Sequence, residues 1–212
     1  YSFKVFRQYR GIRKTAMFGS ARLPENSPAC RQAYEFAQSM TRHGWMLITG
    51  AGDGIMKAGH AGAGRENSFG VNIRLPFEQG ANEIIQNDPK LITFKYFFTR
   101  KLIFVKEADA VLLCPGGFGT MDEGFECLVL VQTGKSNPVP IVMLEEPGGS
   151  YWKGWDDYVR GQLLDRGLIS RDDLHLYKIV DRAEDACAEV LRFYRRYHSS
   201  RYVHDKLVIR MS

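Results

Sequence analysis

Short, continuous apolar runs alternate along the chain with stretches whose apolar residues recur at helical spacing. Thr15–Arg22 reads as a buried strand ending in a small-residue turn at Gly19 and Ser20. Pro28 then opens a helix through His43, with Ala33, Phe36, Ala37 and Met40 on one face and Gly44 as its stop. Trp45–Thr49 is a second strand, delivering the chain into the turn Gly50–Gly54 and an Ala- and Gly-rich helix over Ile55–Arg65. Ser68–Leu75 is a third strand, ended by Pro76. Leu91–Phe98 is extended and aromatic, and Thr99 caps a short helix carrying Arg100, Lys101 and Lys106. Ala110–Cys114 is a fully buried strand, and Phe125–Val131 a helix facing a core. Val139–Leu144 is another buried strand, and Tyr151–Leu164 an amphipathic helix with Trp152, Trp155, Tyr158 and Leu163 on its apolar side. A short edge strand over His175–Val180 and a last helix over Ala183–Tyr197 complete the pattern.

Strands that alternate with helices, with no internal repeat, predict a parallel sheet covered on both faces. The expected fold is therefore α/β: a Rossmann-like, doubly wound sheet forming a single domain over residues 15–197. Residues 1–14 are expected to form an N-terminal arm, and residues 198–212 a tail packing on the domain or on a second copy. In such folds ligands sit beyond the carboxyl ends of the strands. The turns at Ser20, Gly50 and Gly116 would all open onto that edge.

Composition narrows the class further. The chain has 212 residues, 44% of them apolar, and no apolar run long enough to cross a bilayer, so membrane insertion is not expected. Nothing at the start resembles a signal peptide, while Tyr1 is not an initiator residue and leaves room for a preceding segment. The four cysteines are widely spaced without a CxxC, which reads as reduced, buried thiols in a cytoplasm. The net charge of +5 could suggest nucleic acid, so its distribution matters. From Arg192 to Ser212 six basic residues stand against one acid, Asp205, leaving 23 of each sign in the rest of the chain. A basic tail interleaved with tyrosines packs on its own or a neighbouring subunit more often than on nucleic acid, which is not the expected partner. The histidines show no metal-ligand spacing. His60, His198 and His204 read as surface or interface residues, and no metal is expected.

The chemistry concentrates in PGGFGTMDEGFE, Pro115–Glu126. A buried strand, a glycine turn and a helix together aim free N–H groups and a positive dipole end at an anion. Gly116, Gly117 and Gly119 permit positive φ and close approach of a ligand, Thr120 adds a hydroxyl, and Asp122, Glu123 and Glu126 crowd carboxylates beside it. A phosphorylated substrate with chemistry next to the phosphate follows. Gly50, Gly52 and Gly54 form a second place of close approach. Their G-x-G-x-G spacing is not the dinucleotide fingerprint, so NAD and FAD are not expected, nor any other cofactor.

Taken together these residues resemble the LONELY GUY family, cytokinin riboside 5'-monophosphate phosphoribohydrolases formerly labelled possible lysine decarboxylases. The signature PGGxGTxxE stands intact at Pro115–Glu123, and Thr49–Met56 is similar to T-G-G-G-x-G-I-M with Ala51 in place of a glycine. The family's Arg-Lys pair is matched by Arg100 and Lys101. Leu75–Asn82 (LPFEQGAN), the FFTRK context and the tail YHSSRYVHDKLVIR resemble the longer-chain subgroup. The resemblance implies hydrolysis of the N-glycosidic bond of a nucleoside 5'-monophosphate to free base and ribose 5-phosphate, and at least a dimer with its site near the interface. It carries the catalytic arginine to Arg100 and the catalytic glutamate to Glu123. Pyridoxal phosphate chemistry is not expected, because no lysine has the context of a Schiff base.

For the remaining residues a functional and a structural reading stand side by side. Glu123 either stabilises an oxocarbenium-like ribose and activates water, or folds back as the last member of a Thr120–Glu123 capping box. Arg100 orients base, phosphate or Glu123, or is a solvated helix charge. Gly117, Gly119 and Thr120, with Gly116, would hold the phosphate. Ser20, Gly50, Gly52 and Gly54 would complete the pocket, or merely make tight turns. Asp53 would repel a phosphate, so the second turn is expected to meet ribose or base. Lys101 and Glu126 are further substrate-contacting candidates. Lys101 faces about 100° from Arg100 around its helix and equally reads as structural, and Glu126 equally reads as a rim acid. Asp122 favours the helix dipole.

Overall fold

The computed structural model describes residues 1–74, 80–204 and 206–211. Seven parallel strands form one sheet: β1 (Lys14–Phe18), β2 (Met46–Thr49), β3 (Ser68–Ile73), β4 (Leu91–Phe94), β5 (Ala110–Leu113), β6 (Ile141–Leu144) and β7 (Lys178–Val180). Their order is β4-β3-β2-β1-β5-β6-β7, so the winding reverses between β1 and β5. That reversal separates the loops leaving the two strands and opens a crevice at their carboxyl ends. The strand register brings Phe18 beside Leu113 and Met17 beside Thr49, so the three turns that follow emerge together.

The central strands read as unbroken apolar runs because both of their faces are covered. Met17, Leu47, Leu112 and Val142 point to one side, packing with Phe36, Met40 and Val190 under α2 (Pro28–Arg42), α3 (Ile55–Ala63) and α7 (Ala183–Arg196). Ala16, Phe18, Ile48 and Val111 point to the other, packing with Phe6, Phe69, Phe104 and Trp152 under α1 (Ser2–Arg7), α4 (Phe97–Glu107) and α6 (Tyr151–Tyr158). α2 starts as its sequence signals require: Ser27 accepts a hydrogen bond from the Cys30 N–H and Pro28 occupies the first turn. Such a cap is worth about 1 kcal/mol. The expected doubly wound parallel sheet is the observed fold.

Several local expectations change. The Leu91–Phe98 segment is strand only to Phe94. α4 begins at Phe97 with Tyr96 at its N-cap, so Thr99 lies inside the helix, donating its hydroxyl to the Tyr96 carbonyl instead of capping. The Tyr151–Leu164 helix is α-helical to Tyr158 and then widens into a π-helical turn over Val159–Leu164. The helix bearing the apolar run Phe125–Val131 is α5 (Phe118–Gln132), and it buries only Thr120, Glu123, Gly124 and Cys127. Cys127, Leu128 and Val131 of that run pack on the core as expected, while Phe125 and Val129 face outward. His60 is completely buried, against the expectation of a surface or interface residue. The chain's end forms a two-stranded antiparallel hairpin, β8 (Tyr197–Val203) with β9 (Lys206–Met211). The last residue of the third predicted strand, Leu75, its stop at Pro76, and most of the LPFEQGAN motif lie outside the described residues.

Candidate active site

The site is built around the peptide groups of Ser20. Where β1 ends, the Ser20 N–H donates to the Pro115 carbonyl at 3.0 Å, and its carbonyl accepts from the Ile55 N–H at 3.0 Å. One residue therefore joins both glycine turns. Two glycines are required by this closeness. A Cβ on Gly54, which has φ +58°, would lie 2.4 Å from the Ser20 carbonyl oxygen, and one on Gly116 would lie 2.7 Å from the Thr120 Cβ and 3.0 Å from the Ser20 nitrogen. Gly116, Gly117 and Gly119 are not among the residues with positive φ, so the expected left-handed backbone is not what this turn uses. Gly50 and Gly52 make room for the flexible end of Met56. The Ser20 hydroxyl accepts from the Arg22 N–H, which holds the first turn closed. Tyr151, on α6, donates its hydroxyl to the Gly116 carbonyl and braces the central turn from below.

α5 starts immediately after that turn. Its N-cap is Gly117, and among the described residues no side chain caps it. The Thr120 N–H is satisfied by the Gly117 carbonyl at 3.1 Å, so the capping-box reading of Glu123 does not hold. A Cβ on Gly117 or Gly119 would meet nothing within 4 Å. Fifteen residues of aligned peptide dipole thus end at an open, uncapped terminus suited to an anion.

Glu123 lies one turn inside, with its side chain 3% exposed. Its Oε1 is 3.6 Å from Nη2 of Arg100 on α4, an ion pair slightly longer than a hydrogen bond. Its Oε2 is buried with no hydrogen-bond partner among the described residues. Burial pushes the Glu123 carboxyl above its ordinary range, and Arg100 and Lys101 pull only part of the way back. The Arg100 guanidinium lies 5.5 Å from the Phe97 ring centre and 5.7 Å from that of Phe104, within cation–π range of both.

The neighbouring charges do something else. Lys101 reaches Asp122 Oδ1 at 2.8 Å and Glu126 Oε2 at 3.6 Å. Burial alone would lower its ammonium pKa, but Asp122, Glu123 and Glu126 outweigh burial and raise it. Lys101 thus ties α4 to α5, with Glu126 at the rim. The other buried lysines are also engaged, Lys14 with the Tyr9 and Ile12 carbonyls and Lys90 with Asp88. Among the described residues no cluster of three His, Cys, Asp or Glu side chains is placed to hold a metal ion. Sequence reasoning did not find Tyr151, nor the backbone role of Ser20, because both depend on contacts between distant segments.

The family model described as "Possible lysine decarboxylase" matches residues 51–190. The chain belongs to this family. Its motifs are those of the LONELY GUY proteins, and a curated relative, a cytokinin riboside 5'-monophosphate phosphoribohydrolase of Mycobacterium tuberculosis, is 29% identical over 77% of this chain and 86% of its own. The X-ray structure of a structural genomics target superimposes with TM-score 0.58 at 22% identity, covering 85% of this chain and 99% of that one. The molybdenum cofactor carrier protein of Chlamydomonas reinhardtii does so with TM-score 0.57 at 19% identity, over 86% and 98%. Both share the fold. One departure from the family's glycine turn has a visible cost: Ala51 stands where the motif has glycine, and it holds φ +65°. That conformation strains an L-residue by roughly 1–2 kcal/mol.

The turn geometry predicts two opposite outcomes for glycine replacement. Gly54→Ala drives a methyl into the Ser20 carbonyl and should lower the melting temperature sharply. Gly119→Ala enters open space inside a helix, so thermal melting should show equal or higher stability while nucleotide affinity, read by calorimetry, falls.

Proposed function

We propose that this protein hydrolyses the N-glycosidic bond of a nucleoside 5'-monophosphate, releasing free base and ribose 5-phosphate. The observation that carries this reading is a buried carboxylate one turn inside a helix terminus, with one carboxylate oxygen unpartnered and the terminus uncapped among the described residues. The 5'-phosphate would sit on the open N–H groups of Gly117–Gly119 with the Thr120 hydroxyl. The Gly50–Gly54 turn and Ser20 would meet the ribose and base. Glu123 would then face C1', where positive charge develops as the C–N bond stretches, and its carboxylate would stabilise that charge and take a proton from the attacking water. Arg100 would hold Glu123 ionised and oriented and offer a charge to the departing base, which leaves with the C–N electron pair and takes up the proton that Glu123 removed from water. The curated phosphoribohydrolase relative supports this chemistry.

A base preference for prenylated adenine over ordinary purines or pyrimidines is not carried by any one residue, so a broader nucleotide nucleosidase is the alternative within the same mechanism. A carrier that binds nucleotide without cleaving it is a second alternative. The likeness in fold to a cofactor carrier keeps it in view, and the Arg100–Glu123 pair argues against it. The decarboxylase wording of the family is not our reading: a Schiff-base lysine must be free to react, and the buried lysines are committed elsewhere. We also propose a homodimer. Phe98 (72% exposed) and Leu102 on α4, and Phe118 (96% exposed) and Val129 on α5, present an apolar surface beside the site that a second copy would cover. A cytoplasmic location is supported by four free, buried cysteines.

Incubation with AMP and with isopentenyladenosine monophosphate, followed by chromatography, should release free base and ribose 5-phosphate from at least one of them. Tight binding of both without release would favour the carrier. Glu123→Gln should retain nucleotide binding and lose at least about 100-fold in base release, the scale of a removed acid–base group; unchanged release would take Glu123 out of the mechanism.

The pH profile follows from the direction of the Glu123 shift. The ionised form is the working one, and its pKa is raised, so activity should fall as pH drops through a value above the ordinary carboxylate of about 4.3. Arg100→Gln removes a charge that favours ionisation and should move that acidic limb higher still. For the dimer, light scattering should give twice the chain mass, and Leu102→Glu should halve it.

A further inference from the structure

Behind the second glycine turn lies a buried polar relay that the catalytic reading does not use. His60, on α3, is fully buried, and its Nε2 lies 3.2 Å from the Phe69 carbonyl oxygen and 3.0 Å from Thr49 Oγ1. A carbonyl only accepts, so Nε2 carries the hydrogen, and in the neutral ring Nδ1 is an acceptor. Asn82 sits against it. The Asn82 Nδ2 donates to the Gly52 carbonyl at 2.8 Å, which fixes that atom as the amide nitrogen, and its second hydrogen faces His60 Nδ1 at 3.2 Å. The Asn82 backbone N–H donates to the Ala51 carbonyl at 2.8 Å, and the Ala51 N–H donates to Thr49 Oγ1 at 2.9 Å. With the ring uncharged, Nδ1 accepts from Asn82 Nδ2, and the Asn82 Oδ1 lies 3.3 Å from the same nitrogen without a donor from it. Burial holds the His60 pKa below its ordinary value, against the opposing hydrogen bonds with Asn82 and Phe69.

The consequence for the turn is stereochemical. In a planar trans peptide the C=O and N–H point in opposite directions, and the described residues have no cis bonds. Asn82 draws the Ala51 and Gly52 carbonyls inward, so the N–H groups of Gly52 and Asp53 point the other way. We propose that Asn82, seated on neutral His60, is a positioning residue that turns two N–H donors of the Gly50–Gly54 turn outward, toward acceptor atoms on the ribose or base of the nucleotide. The inference rests on the proposed nucleotide site for its ligand. Its geometry concerns the turn alone.

Asn82→Asp keeps the shape and removes both side-chain donations. Hydrogen–deuterium exchange, which needs no substrate, should then speed up about tenfold or more at residues 51–54, while exchange in β1 and β5 stays as in the unchanged protein. With AMP as the probe, KM should rise about tenfold with kcat within about threefold, the signature of lost binding common to ground and transition states, worth ~1.4 kcal/mol. His60→Leu, which removes the acceptor, should reproduce both effects. His60→Asn, which retains an acceptor for Asn82, should restore most of KM. Exchange and KM that stay unchanged in Asn82→Asp would overturn the proposal, as would uniform loosening of the whole sheet with KM and kcat tracking only the folded fraction. An unaltered protein that cleaves neither AMP nor isopentenyladenosine monophosphate refutes the proposed activity instead, and the exchange measurement still decides the relay.

Discussion

The two peptide groups flanking Ser20, just after β1, hold the carboxyl edge of the sheet together. Ser20 gives its N–H to the loop after β5 and its carbonyl to the start of α3, at the point where the sheet's winding reverses. Elsewhere in a doubly wound fold the loops on either side of the reversal diverge, and this crosslink keeps them close. The close approach explains the glycines better than backbone freedom does. Gly54 and Gly116 are needed because neighbouring backbone or Thr120 occupies the space of a side chain, whereas Gly117 and Gly119 border space left open.

That scaffold lets a carboxylate be kept under tension. Taking an ionised glutamate out of water costs several kcal/mol, and a pair recovers this only with good geometry. The Arg100–Glu123 contact, at 3.6 Å and with one carboxylate oxygen unpartnered among the described residues, falls short of full compensation. The raised Glu123 pKa is the same imbalance seen from the proton's side. By contrast Lys101, bound by Asp122 and Glu126, is a compensated cation that spaces α4 from α5. Two adjacent basic residues on one helix thus have opposite situations, set by the 100° turn between them.

The same two helices leave apolar residues in water. α5 carries an apolar run that periodicity assigns to a core, yet its Phe125 and Val129 face out, and Phe118 is almost wholly exposed at the mouth of the site. Under the proposed dimer this surface becomes interior, and the apolar run is a buried one after all, across a boundary that a single chain does not contain. The C-terminal hairpin belongs to the same accounting, since β9 is exposed along its whole length and two strands alone are marginal in water.

The sequence by itself determined the alternation of strands and helices, the parallel sheet, and the clustering of chemistry in PGGFGTMDE. These are local or periodic properties: an apolar run buried on both faces, a glycine turn before a helix, a motif that carries its own spacing. It also brought Arg100 and Glu123 together through their resemblance to a family, although no pattern of spacing places α4 against α5. Whether Glu123 caps its helix or faces the crevice was undecidable from four residues, because a capping box and a catalytic signature are written alike. The N-cap at Gly117, three residues earlier than a Thr120 cap requires, excludes the capping box. His60 looked like a surface residue because burial depends on what packs from elsewhere. Only the fold sets Phe69, Thr49 and Asn82 around its ring, and only the fold makes the Ser20 backbone the meeting point of three turns. Contacts between segments far apart in the chain leave no local trace, and those contacts are what aim the groups at one place.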